Sequence, residues 1–322
     1  MAMISDKPKL VTVFGGSGFL GRYVVQALAR RGHRVRVACR DPHKANRVQT
    51  LGNMGQVQPV QANLRYRWSI DRAVAGADHV INLVGILYES GRQNYGSIHV
   101  AGARAVAEAA AAAGAKLTHT SAIGADPRSP AGYGRSKAMG EAEVLKAVPD
   151  AVIMRPSIVF GPDDHFFNRF ASMTRFSPFL PLIGGGHTKL QPVYAGDVAE
   201  AFAKSVDGEL APGIYELGGP HVFTFRECME EMLEIIDRKR PLVSIPWWLA
   251  RLQARFLGLL PKPLLTVDQV NMLTVDNIVS EQARQEGRTL EAMGIARHSI
   301  HAILPTYLWS YRPAGQFTQP QA

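Results

Sequence analysis

The sequence is poor in cysteine and has no long apolar run. Its 322 residues include two cysteines, Cys39 and Cys228, which stand far apart and outside any metal-ligand spacing. A disulfide framework and a cysteine-based zinc site are therefore excluded, and the pattern fits a reducing compartment. No stretch of about 18 apolar residues exists, so the sequence predicts no transmembrane helix. The opening residues lack the apolar core of a signal peptide, which leads us to expect a cytoplasmic protein.

Clustered basic residues and metal-type histidine spacings are also missing. The chain carries 36 Lys and Arg against 27 Asp and Glu, and its net charge of +9 suits an anionic ligand or surface. The basic residues are scattered, and the longest tight cluster, residues 238–240, ends a predicted helix, where cations favour the helix dipole. His165 beside Asp163 falls in a loop, where we expect a capping or solvated role. The sequence thus predicts neither a nucleic-acid partner nor a metal site.

Short β-branched runs alternate with helical patterns through the first half of the chain. The predicted strands are residues 10–14, 34–39, 56–62, 79–85, 116–122, 151–160 and 213–219. Strands that alternate with helices form right-handed βαβ units and a parallel sheet covered on both faces. We therefore predict an α/β fold, a Rossmann-like doubly wound parallel sheet with a small C-terminal lobe. The predicted boundaries are 8–220 for the Rossmann-like domain, with 161–190 contributing to the substrate-side lobe, and 221–322 for a small mixed lobe packed on it.

The segment GGSGFLG directly follows the first predicted strand and opens the first helix. A nucleotide diphosphate needs backbone N–H groups at a helix N-terminus, and glycine lets the chain turn tightly and approach it. This context favours a dinucleotide-binding loop over a tight turn that binds nothing. The expected nucleotide contacts in this segment are Gly15, Ser17, Gly18, Phe19, Leu20 and Gly21.

The end of the second strand indicates which dinucleotide is bound. An acidic residue there takes the ribose hydroxyls of NAD, whereas a basic one suits the 2′-phosphate of NADP. The chain has Arg40, and a guanidinium pairs bidentately with a phosphate, so we favour NADPH. Asp41, one place later, keeps NAD(H) as the second choice, and a solvated surface arginine is the alternative interpretation of Arg40. Asn63 and Leu64, after the third strand, are placed to contact the adenine, and Val84, in the fourth, is a further expected cofactor contact.

A tyrosine and a lysine four residues apart, Tyr133 and Lys137, share one face of a predicted helix. A lysine ammonium and a nicotinamide ribose help to lower the pKa of a phenol, and such a tyrosine can move a proton while hydride moves at the nicotinamide. Ser121, which ends the preceding strand, can donate a hydrogen bond to a substrate carbonyl. These three residues are the candidate catalytic group. The alternative is a surface pair, or a site that only holds the ribose.

With these motifs the sequence resembles the short-chain dehydrogenase/reductase superfamily, in its extended or atypical branch. The segment RPSIVFGPDDHFFNRFA, residues 155–171, is similar to a stretch of the nucleotide-binding accessory subunits of respiratory complex I. QPVY at 191–194, DVA at 197–199 and YRPAGQF at 311–317 resemble the same family. The resemblance spans residues 10–317 and implies a fold that binds NADPH tightly and serves assembly and stability, outside the electron path to quinone.

The resemblance also implies roles for individual residues. It implies pyrophosphate contacts from Gly15, Gly18 and Gly21, a 2′-phosphate contact from Arg40, ribose contacts from Tyr133 and Lys137, and ring contacts from Pro156 and Ile158. In one place the chain departs from the enzyme pattern: extended reductases usually have Asn-Val-x-Gly-Thr after the fourth strand, and this chain has HVAGA at residues 99–103. The missing asparagine puts a proton relay behind Lys137 in doubt. Glycines on both sides of Tyr133 predict a loosely held ring, since a glycine within a helix costs about 1 kcal/mol relative to alanine.

The stretch IPWWLARLQARFLGLLPKPLL, residues 245–265, has the pattern of an amphipathic helix. Its predicted apolar stripe is Trp248, Leu252, Phe256 and Leu260, widened by Leu249 and Leu259, with Arg251 and Arg255 on the other side. An apolar face edged by tryptophan and arginine suits a membrane interface or a partner's groove. A helix that simply covers the sheet or the small lobe is the alternative.

Together with the resemblance, these features predict an NADP(H)-binding accessory or assembly protein of NADH:quinone oxidoreductase. We expect a structural nucleotide, subunits of respiratory complex I as partners, and a peripheral location on the inner face of the bacterial inner membrane. The alternative is an active NADP-dependent oxidoreductase that acts on an isoprenoid, quinone-precursor or steroid-like ketone or alcohol. Catalysis requires the phenol of Tyr133, whereas a structural nucleotide does not.

Overall fold

The computed structural model describes residues 7–258, 263 and 265–313. Its strands are β1 Leu10–Phe14, β2 Arg34–Cys39, β3 Val57–Gln61, β4 His79–Asn82, β5 Lys116–Thr120, β6 Val152–Pro156, β7 Val159–Phe160, β8 Leu180–Ile183, β9 Lys189–Leu190, β10 Val193–Tyr194, β11 Gly213–Leu217, β12 Phe223–Thr224 and β13 Leu242–Ile245.

The helices vary in length from a single turn to the four and a half turns of the fourth. They are α1 Phe19–Arg30, α2 Arg67–Val74, α3 Ala103–Ala112, α4 Gly132–Ala147, α5 Phe167–Met173, α6 Ala195–Asp207, α7 Phe225–Ile235, α8 Trp247–Leu257, α9 Val267–Met272, α10 Glu281–Gln285, α11 Ile300–Ile303 and α12 Pro305–Leu308. Turns of 3₁₀ helix cover Asn46–Leu51, Gly184–Gly186 and Trp309–Tyr311, and a π-helical turn covers Gly96–Gly102. Among the described helices, none combines the length and apolar character needed to cross a bilayer.

The chain divides into two compact units, each assembled from separate segments. The first contains the chain up to Pro156 together with Gly196–Leu217 and Ser280–Ile295. The second contains Ser157–Ala195, Gly218–Val279 and the chain from Ala296 onward. This division differs from the predicted boundary at residue 220 in two respects: residues 157–195 belong to the second unit, and residues 280–295 return to the first, where Thr289 forms a bridge with Glu216 of β11.

A seven-stranded sheet forms the centre of the first unit. Its strand order is β11-β6-β5-β4-β1-β2-β3, and every neighbouring pair is parallel. Strands β1, β4 and β6 are almost entirely buried, as expected for apolar runs covered on both faces. The predicted Rossmann-like α/β fold is confirmed. The strand order reverses between β1 and β4, and ligands of such sheets bind beyond the carboxyl ends of the strands at this switch point.

The second unit has its own apolar core and three two-stranded sheets, β7–β10, β8–β13 and β9–β12. The core contains Phe160, Phe167 and Phe225. Buried Asp164 accepts the N–H groups of Phe166 and Asn168 at 2.9 and 3.1 Å and holds the start of α5. Within the segment that carries the family resemblance, this carboxylate is therefore a structural cap.

Candidate functional site

The glycine-rich loop lies between β1 and α1, at the switch point of the sheet. Gly15 has a φ of +79°, which an L side chain rarely adopts, and a Cβ there would be 3.2 Å from the carbonyl carbon of Leu83. A Cβ on Gly21 would be 2.2 Å from the carbonyl oxygen of Gly15. Because neither position has room for a side chain, the loop backbone packs tightly against α1 and the segment after β4. A dinucleotide pyrophosphate requires this kind of cradle.

The N-terminus of α1 has no side-chain cap. Gly18 is its N-cap residue, and its first turn contains no acidic residue. Ser17 is exposed just before it, while Phe19 and Leu20 are partly buried in the first turn. The first N–H groups of a helix have no intrahelical acceptor, and the positive end of the helix dipole favours a phosphate. The predicted loop residues therefore surround one helix end suited to an anion.

Arg40 and Asp41, at the end of β2, differ in the contacts they make. The Arg40 side chain is exposed and forms no ion pair within the described part of the chain. Asp41 lies beside Lys44, with 3.4 Å between its Oδ2 and Nζ, and accepts the Lys44 N–H at 3.4 Å. This backbone hydrogen bond, followed by the lysine side chain, lowers the pKa of Asp41. The arginine is thus the residue at this strand end available to a phosphate.

The other adenine-side candidates follow β3 and β4. Asn63 Oδ1 accepts the Arg65 N–H at 3.1 Å and so forms a local turn. Much of the Leu64 side chain packs against the core, where its Cδ1 would be 3.0 Å from a Cβ on Gly102. Val84 lies two residues beyond β4 and is partly buried. All three lie beyond the carboxyl ends of strands; Val84, which the sequence places within the fourth strand, follows it instead.

Tyr133 and Lys137 lie in the first turns of α4. Lys137 is buried; its Nζ donates to the carbonyl oxygen of Thr120 at 3.1 Å and lies 5.8 Å from the centre of the Tyr133 ring. Burial lowers the pKa of Lys137 to about 8, and Glu141 acts in the opposite direction. Burial also raises the pKa of Tyr133 to about 12. Without further activation the phenol keeps its proton at neutral pH, whereas a general base would have to lose it.

Two hydroxyl groups at the end of β5 have no hydrogen-bond partner. Ser121 is 2% exposed, and its Oγ, like the neighbouring Thr120 Oγ1, is buried without a partner in the described part of the chain. Buried hydroxyls are normally satisfied, because leaving one unpaired costs about 1–3 kcal/mol. Ser121 also immediately follows the residue whose carbonyl accepts Lys137 Nζ. A ligand with polar groups would satisfy this cluster.

The glycines beside Tyr133 have a steric role that the sequence did not predict. Helix α4 begins at Gly132, so neither glycine lies in the helix interior. A Cβ on Gly134 would be 2.5 Å from Ser129 Oγ and 2.7 Å from the carbonyl oxygen of Gly124. Gly134 therefore allows a close approach between the helix and the preceding loop, and the Tyr133 ring lies edge-on to the rings of Tyr95 and His99.

Sequence analysis missed the role of His99. It occupies the position of the absent asparagine, is buried, and lies in the π-helical turn Gly96–Gly102. Its ring meets the Tyr133 ring edge-on, with 5.4 Å between centres. The departure from the family pattern was the signal that could have found it, but the contact with Tyr133 depends on the fold.

The predicted ring contacts, Pro156 and Ile158, belong to different units. Pro156 ends β6 in the first unit, where its carbonyl accepts the Ile123 N–H at 3.1 Å. Ile158 packs against the core of the second unit. The neighbouring Arg155 forms a bidentate pair with buried Glu141 at 2.8 and 2.6 Å, which ties α4 to β6.

The described residues contain no group of three or more His, Cys, Asp and Glu arranged to hold a metal ion. Cys39 and Cys228 are both buried, and burial raises the pKa of each thiol, that of Cys228 to about 12. Neither cysteine has the character of a reactive thiolate.

Helix α8 exposes the apolar stripe that the sequence predicts. Trp248, Leu252 and Phe256 are 67%, 44% and 68% exposed, whereas Ala250 and Ala254 form the buried side of the helix. The helix therefore packs through these alanines and the half-buried Trp247, and the described chain leaves the three exposed side chains uncovered. Leu259 and Leu260 of the predicted stripe lie outside the described residues.

The residues of the first unit fit an NAD(P)-type nucleotide. The glycine cradle and the uncapped helix end suit a pyrophosphate, Arg40 suits an additional phosphate, and Lys137 with the two unpaired hydroxyls suits polar groups of a ribose or nicotinamide. When bound, such a nucleotide supplies a nicotinamide that can carry hydride.

The family and the relatives that the chain matches are those of NAD(P)-binding proteins and of complex I subunits. Residues 11–218 match the family described as the NAD dependent epimerase/dehydratase family. The chain is 36% identical to "NADH dehydrogenase [ubiquinone] 1 alpha subcomplex subunit 9, mitochondrial" of Arabidopsis thaliana, over 95% of this chain and 79% of the plant protein. It is 32% identical to the ceramide reductase of Caulobacter vibrioides, over 76% of each chain.

Solved structures show the same fold at lower sequence identity. The crystal structure of an NADPH-dependent quinone oxidoreductase of Escherichia coli in complex with NADPH matches with a TM-score of 0.71 and 18% identity. The match covers 90% of this chain and 97% of the other. At this identity the likeness concerns the architecture, which is that of NAD(P)-binding proteins.

Proposed function

The chain belongs to the NAD dependent epimerase/dehydratase family, and on that premise we propose that it is an accessory or assembly protein of a complex I-type NADH:quinone oxidoreductase. The observation that carries the proposal is the 36% identity to a complex I subunit over 95% of the chain. This likeness extends through both units, whereas the family match ends at residue 218. The partners would be subunits of the oxidoreductase.

In this proposal the nucleotide is NADPH and its role is structural. Arg40 would hold the 2′-phosphate, and the loop around Gly15 and Gly21 would hold the pyrophosphate. Lys137 would donate to the ribose hydroxyls, with Tyr133 beside it keeping its proton. The raised pKa of Tyr133 supports this role, because an inactive phenol can still bind a ribose but does not take up a proton at neutral pH.

Native separation of host membranes tests the accessory role. Membranes would be extracted with mild detergent, separated on a native gel, and probed with an antibody to this chain. We expect the chain to co-migrate with NADH:quinone oxidoreductase activity and to release NADPH on denaturation. The proposal would be refuted if the chain migrates as a free protein and the oxidoreductase keeps its size in a strain that lacks the chain.

An active NADP-dependent oxidoreductase is the second candidate, favoured by the 32% identity to a ceramide reductase and by the unpaired Ser121 hydroxyl. Its substrate would be an isoprenoid, quinone-precursor or steroid-like ketone or alcohol. Ser121 would donate to the substrate oxygen, and Tyr133 would transfer the proton at its Oη. If this candidate is right, Tyr133→Phe abolishes turnover but changes the NADPH Kd less than threefold. Activity that survives the substitution excludes it.

The proposed location is peripheral, on the inner face of the bacterial inner membrane, with α8 in contact with anionic lipid. The sequence has no Asp or Glu in residues 238–267. The same segment carries Arg238, Lys239, Arg240, Arg251, Arg255 and Lys262. Every charged residue of this segment is basic, and its Trp and Phe stripe is exposed, so the segment complements an anionic bilayer surface. Binding in a protein groove would not require this charge.

Vesicle flotation tests the lipid contact. The intact chain should float with vesicles that contain phosphatidylglycerol and remain at the bottom with phosphatidylcholine alone. The double variant Trp248→Ser, Phe256→Ser should lose flotation, whereas Trp68→Ser, which removes an exposed tryptophan of the first unit, should keep it. Absence of flotation for the intact chain, or equal losses in both variants, would contradict the proposal.

A further inference from the structure

A buried imidazole joins two segments of the nucleotide site. His99 Nε2 accepts the backbone N–H of Ile86 at 3.0 Å, and Nδ1 lies 2.9 Å from Ser136 Oγ. Because a backbone N–H can only donate, Nε2 is the acceptor and the ring proton lies on Nδ1. The neutral ring thus makes two hydrogen bonds of opposite sense, one to the segment after β4 and one to α4.

The second of these hydrogen bonds leads to the tyrosine. Ser136 Oγ accepts from His99 and donates to the carbonyl oxygen of Tyr133 at 2.8 Å. The imidazole also stacks on Tyr95, with 5.3 Å between ring centres, and meets the Tyr133 ring at an angle of 88°. His99 therefore contacts both the ring and, through Ser136, the backbone of the tyrosine.

The segment that His99 holds extends from one half of the nucleotide site to the other. At one end, the carbonyl carbon of Leu83 is 3.2 Å from where a Cβ on Gly15 would lie. At the other end, a Cβ on Gly85 would be 3.3 Å from Lys137 Nζ and 3.7 Å from His99 Nε2. Residues 83–86 thus connect the glycine loop with the buried lysine, in the direction that a dinucleotide takes from its pyrophosphate to its nicotinamide.

The imidazole keeps its hydrogen-bond roles over the working pH range. Burial, with the nearby charge of Lys137, lowers the pKa of His99 to about 3. Burial and Lys137 also lower the pKa of His119 to about 3, so Lys137 is the cation of this cluster. A protonated His99 would place a second cation beside Lys137 and remove the acceptor for Ile86.

We propose that His99 is a positioning residue that holds residues 83–86 against Tyr133 and Lys137 and thereby shapes the pocket for the nicotinamide half of the nucleotide. The inference rests on the proposed binding of NADPH. It assigns the adenine half to the glycine loop and Arg40, which His99 does not contact.

Two substitutions separate the hydrogen bonds of His99. In His99, Nδ1 is two bonds from Cβ and Nε2 is three. The side-chain amide of His99→Asn can therefore replace only the donor to Ser136, and the amide of His99→Gln can replace only the acceptor for Ile86. Each variant would be titrated with NADPH and with adenosine 2′,5′-bisphosphate, which lacks the nicotinamide half. Thermal unfolding without ligand would confirm that both variants fold.

We expect His99→Asn to weaken NADPH binding about tenfold, because the Ile86 N–H loses its acceptor, and His99→Gln to weaken it less than about threefold. Binding of the bisphosphate should stay within twofold of the wild type in both. Equal losses for the two ligands would show a general structural role and overturn the inference, as would unchanged NADPH binding in His99→Asn. A wild-type chain that binds neither ligand would instead refute the nucleotide function itself, and this inference with it.

Discussion

At the two ends of the seven-stranded sheet, buried polar groups have different partners. At the amino end, buried His33 donates from Nε2 to Asp207 at 2.8 Å and accepts the Lys9 N–H at 3.2 Å. Arg31 forms ion pairs with Asp207 and Glu200. Every one of these groups finds a partner of opposite hydrogen-bonding character within the first unit.

At the carboxyl end, the buried groups are left incomplete. The hydroxyls of Thr120 and Ser121 have no partner among the described residues, and the Lys137 ammonium contacts a carbonyl oxygen where a carboxylate would neutralise it. His79 Nδ1, at the amino end of β4, is the one exception to this contrast among the described residues, because it is buried without a partner there; burial lowers the pKa of this imidazole to about 3, so it stays uncharged.

The contrast separates stability from ligand binding. Satisfied networks stabilise a fold, and unsatisfied buried polar groups are tolerated where a ligand completes them. Changes at the amino end should therefore alter the free energy of unfolding, and changes at the carboxyl end should alter nucleotide affinity.

The largest expected effect follows from Gly21→Ala. The new Cβ would be 2.2 Å from the carbonyl oxygen of Gly15, so the loop must move away from α1 and lose its cradle. We expect NADPH affinity to fall more than about 1,000-fold, the scale of several lost phosphate hydrogen bonds, as measured by fluorescence titration. Gly96→Ala, where a Cβ meets its nearest atom at 3.5 Å, is the control and should bind normally. Binding within tenfold of the wild type would contradict the assignment of the loop.

Asp207→Ala should have the next largest effect, on stability alone. It removes the partner of buried His33 and one partner of Arg31, and breaking such a network costs about 3 kcal/mol. Urea denaturation would measure the loss in the free energy of unfolding. NADPH affinity of the folded variant should stay within twofold, and a large change in affinity would remove the distinction between the two ends.

Lys137→Met should show how much the buried ammonium lowers the free energy of unfolding. The pKa of Lys137 is lowered from 10.5 to about 8 on folding, so the folded state disfavours the charged form. Below pH 8 the ligand-free wild type carries the full penalty, roughly 3 kcal/mol, and the penalty disappears as pH rises from 8 to about 10.5. The variant should therefore be more stable at pH 7, and the difference should shrink toward pH 10.5, as measured by urea denaturation at several pH values. A difference that stays constant with pH would argue against a buried charged lysine.

The smallest effect is expected from Arg40→Ala. Removing one exposed charge-assisted contact should weaken NADPH binding about tenfold and leave NADH binding unchanged, because only NADPH has the 2′-phosphate. Calorimetric titration with both nucleotides measures the two affinities, and Arg34→Ala, an exposed arginine at the start of β2, serves as the control. Equal losses for the two nucleotides would assign Arg40 no role in choosing between them.

Local patterns were sufficient to predict the sheet and the glycine loop. Strand runs such as Leu10–Phe14 and Arg34–Cys39 carry their own periodicity, and the position of Gly15 between strand and helix is a local feature. The position of Ser121 at the end of the strand that precedes α4 also followed from the order of elements. These features depend on contacts between neighbours in the sequence or on the strict topology of βαβ units.

Long-range contacts account for what the sequence did not predict. The hydrogen bonds of His99 join residues 86 and 136, and the pair of Arg155 and Glu141 joins a strand to a helix. The need for Gly134 arises from an approach to Ser129 and Gly124 that no periodicity encodes. The return of residues 280–295 to the first unit has no sequence signal, because a strand's edge can be covered by many different segments.

That return has a consequence for the edge of the sheet. β11 is an outermost strand, and residues 280–295 cover it: Glu216 forms a β-bridge with Thr289, and its carboxylate accepts the Ser280 N–H at 2.7 Å. An uncovered edge strand presents free N–H and C=O groups on which other chains can assemble. A chain cut after residue 217 would keep all seven strands yet expose this edge, and we would expect it to aggregate. Residues 280–295 thus protect the sheet, whose last strand ends at residue 217, from pairing with other chains at this edge.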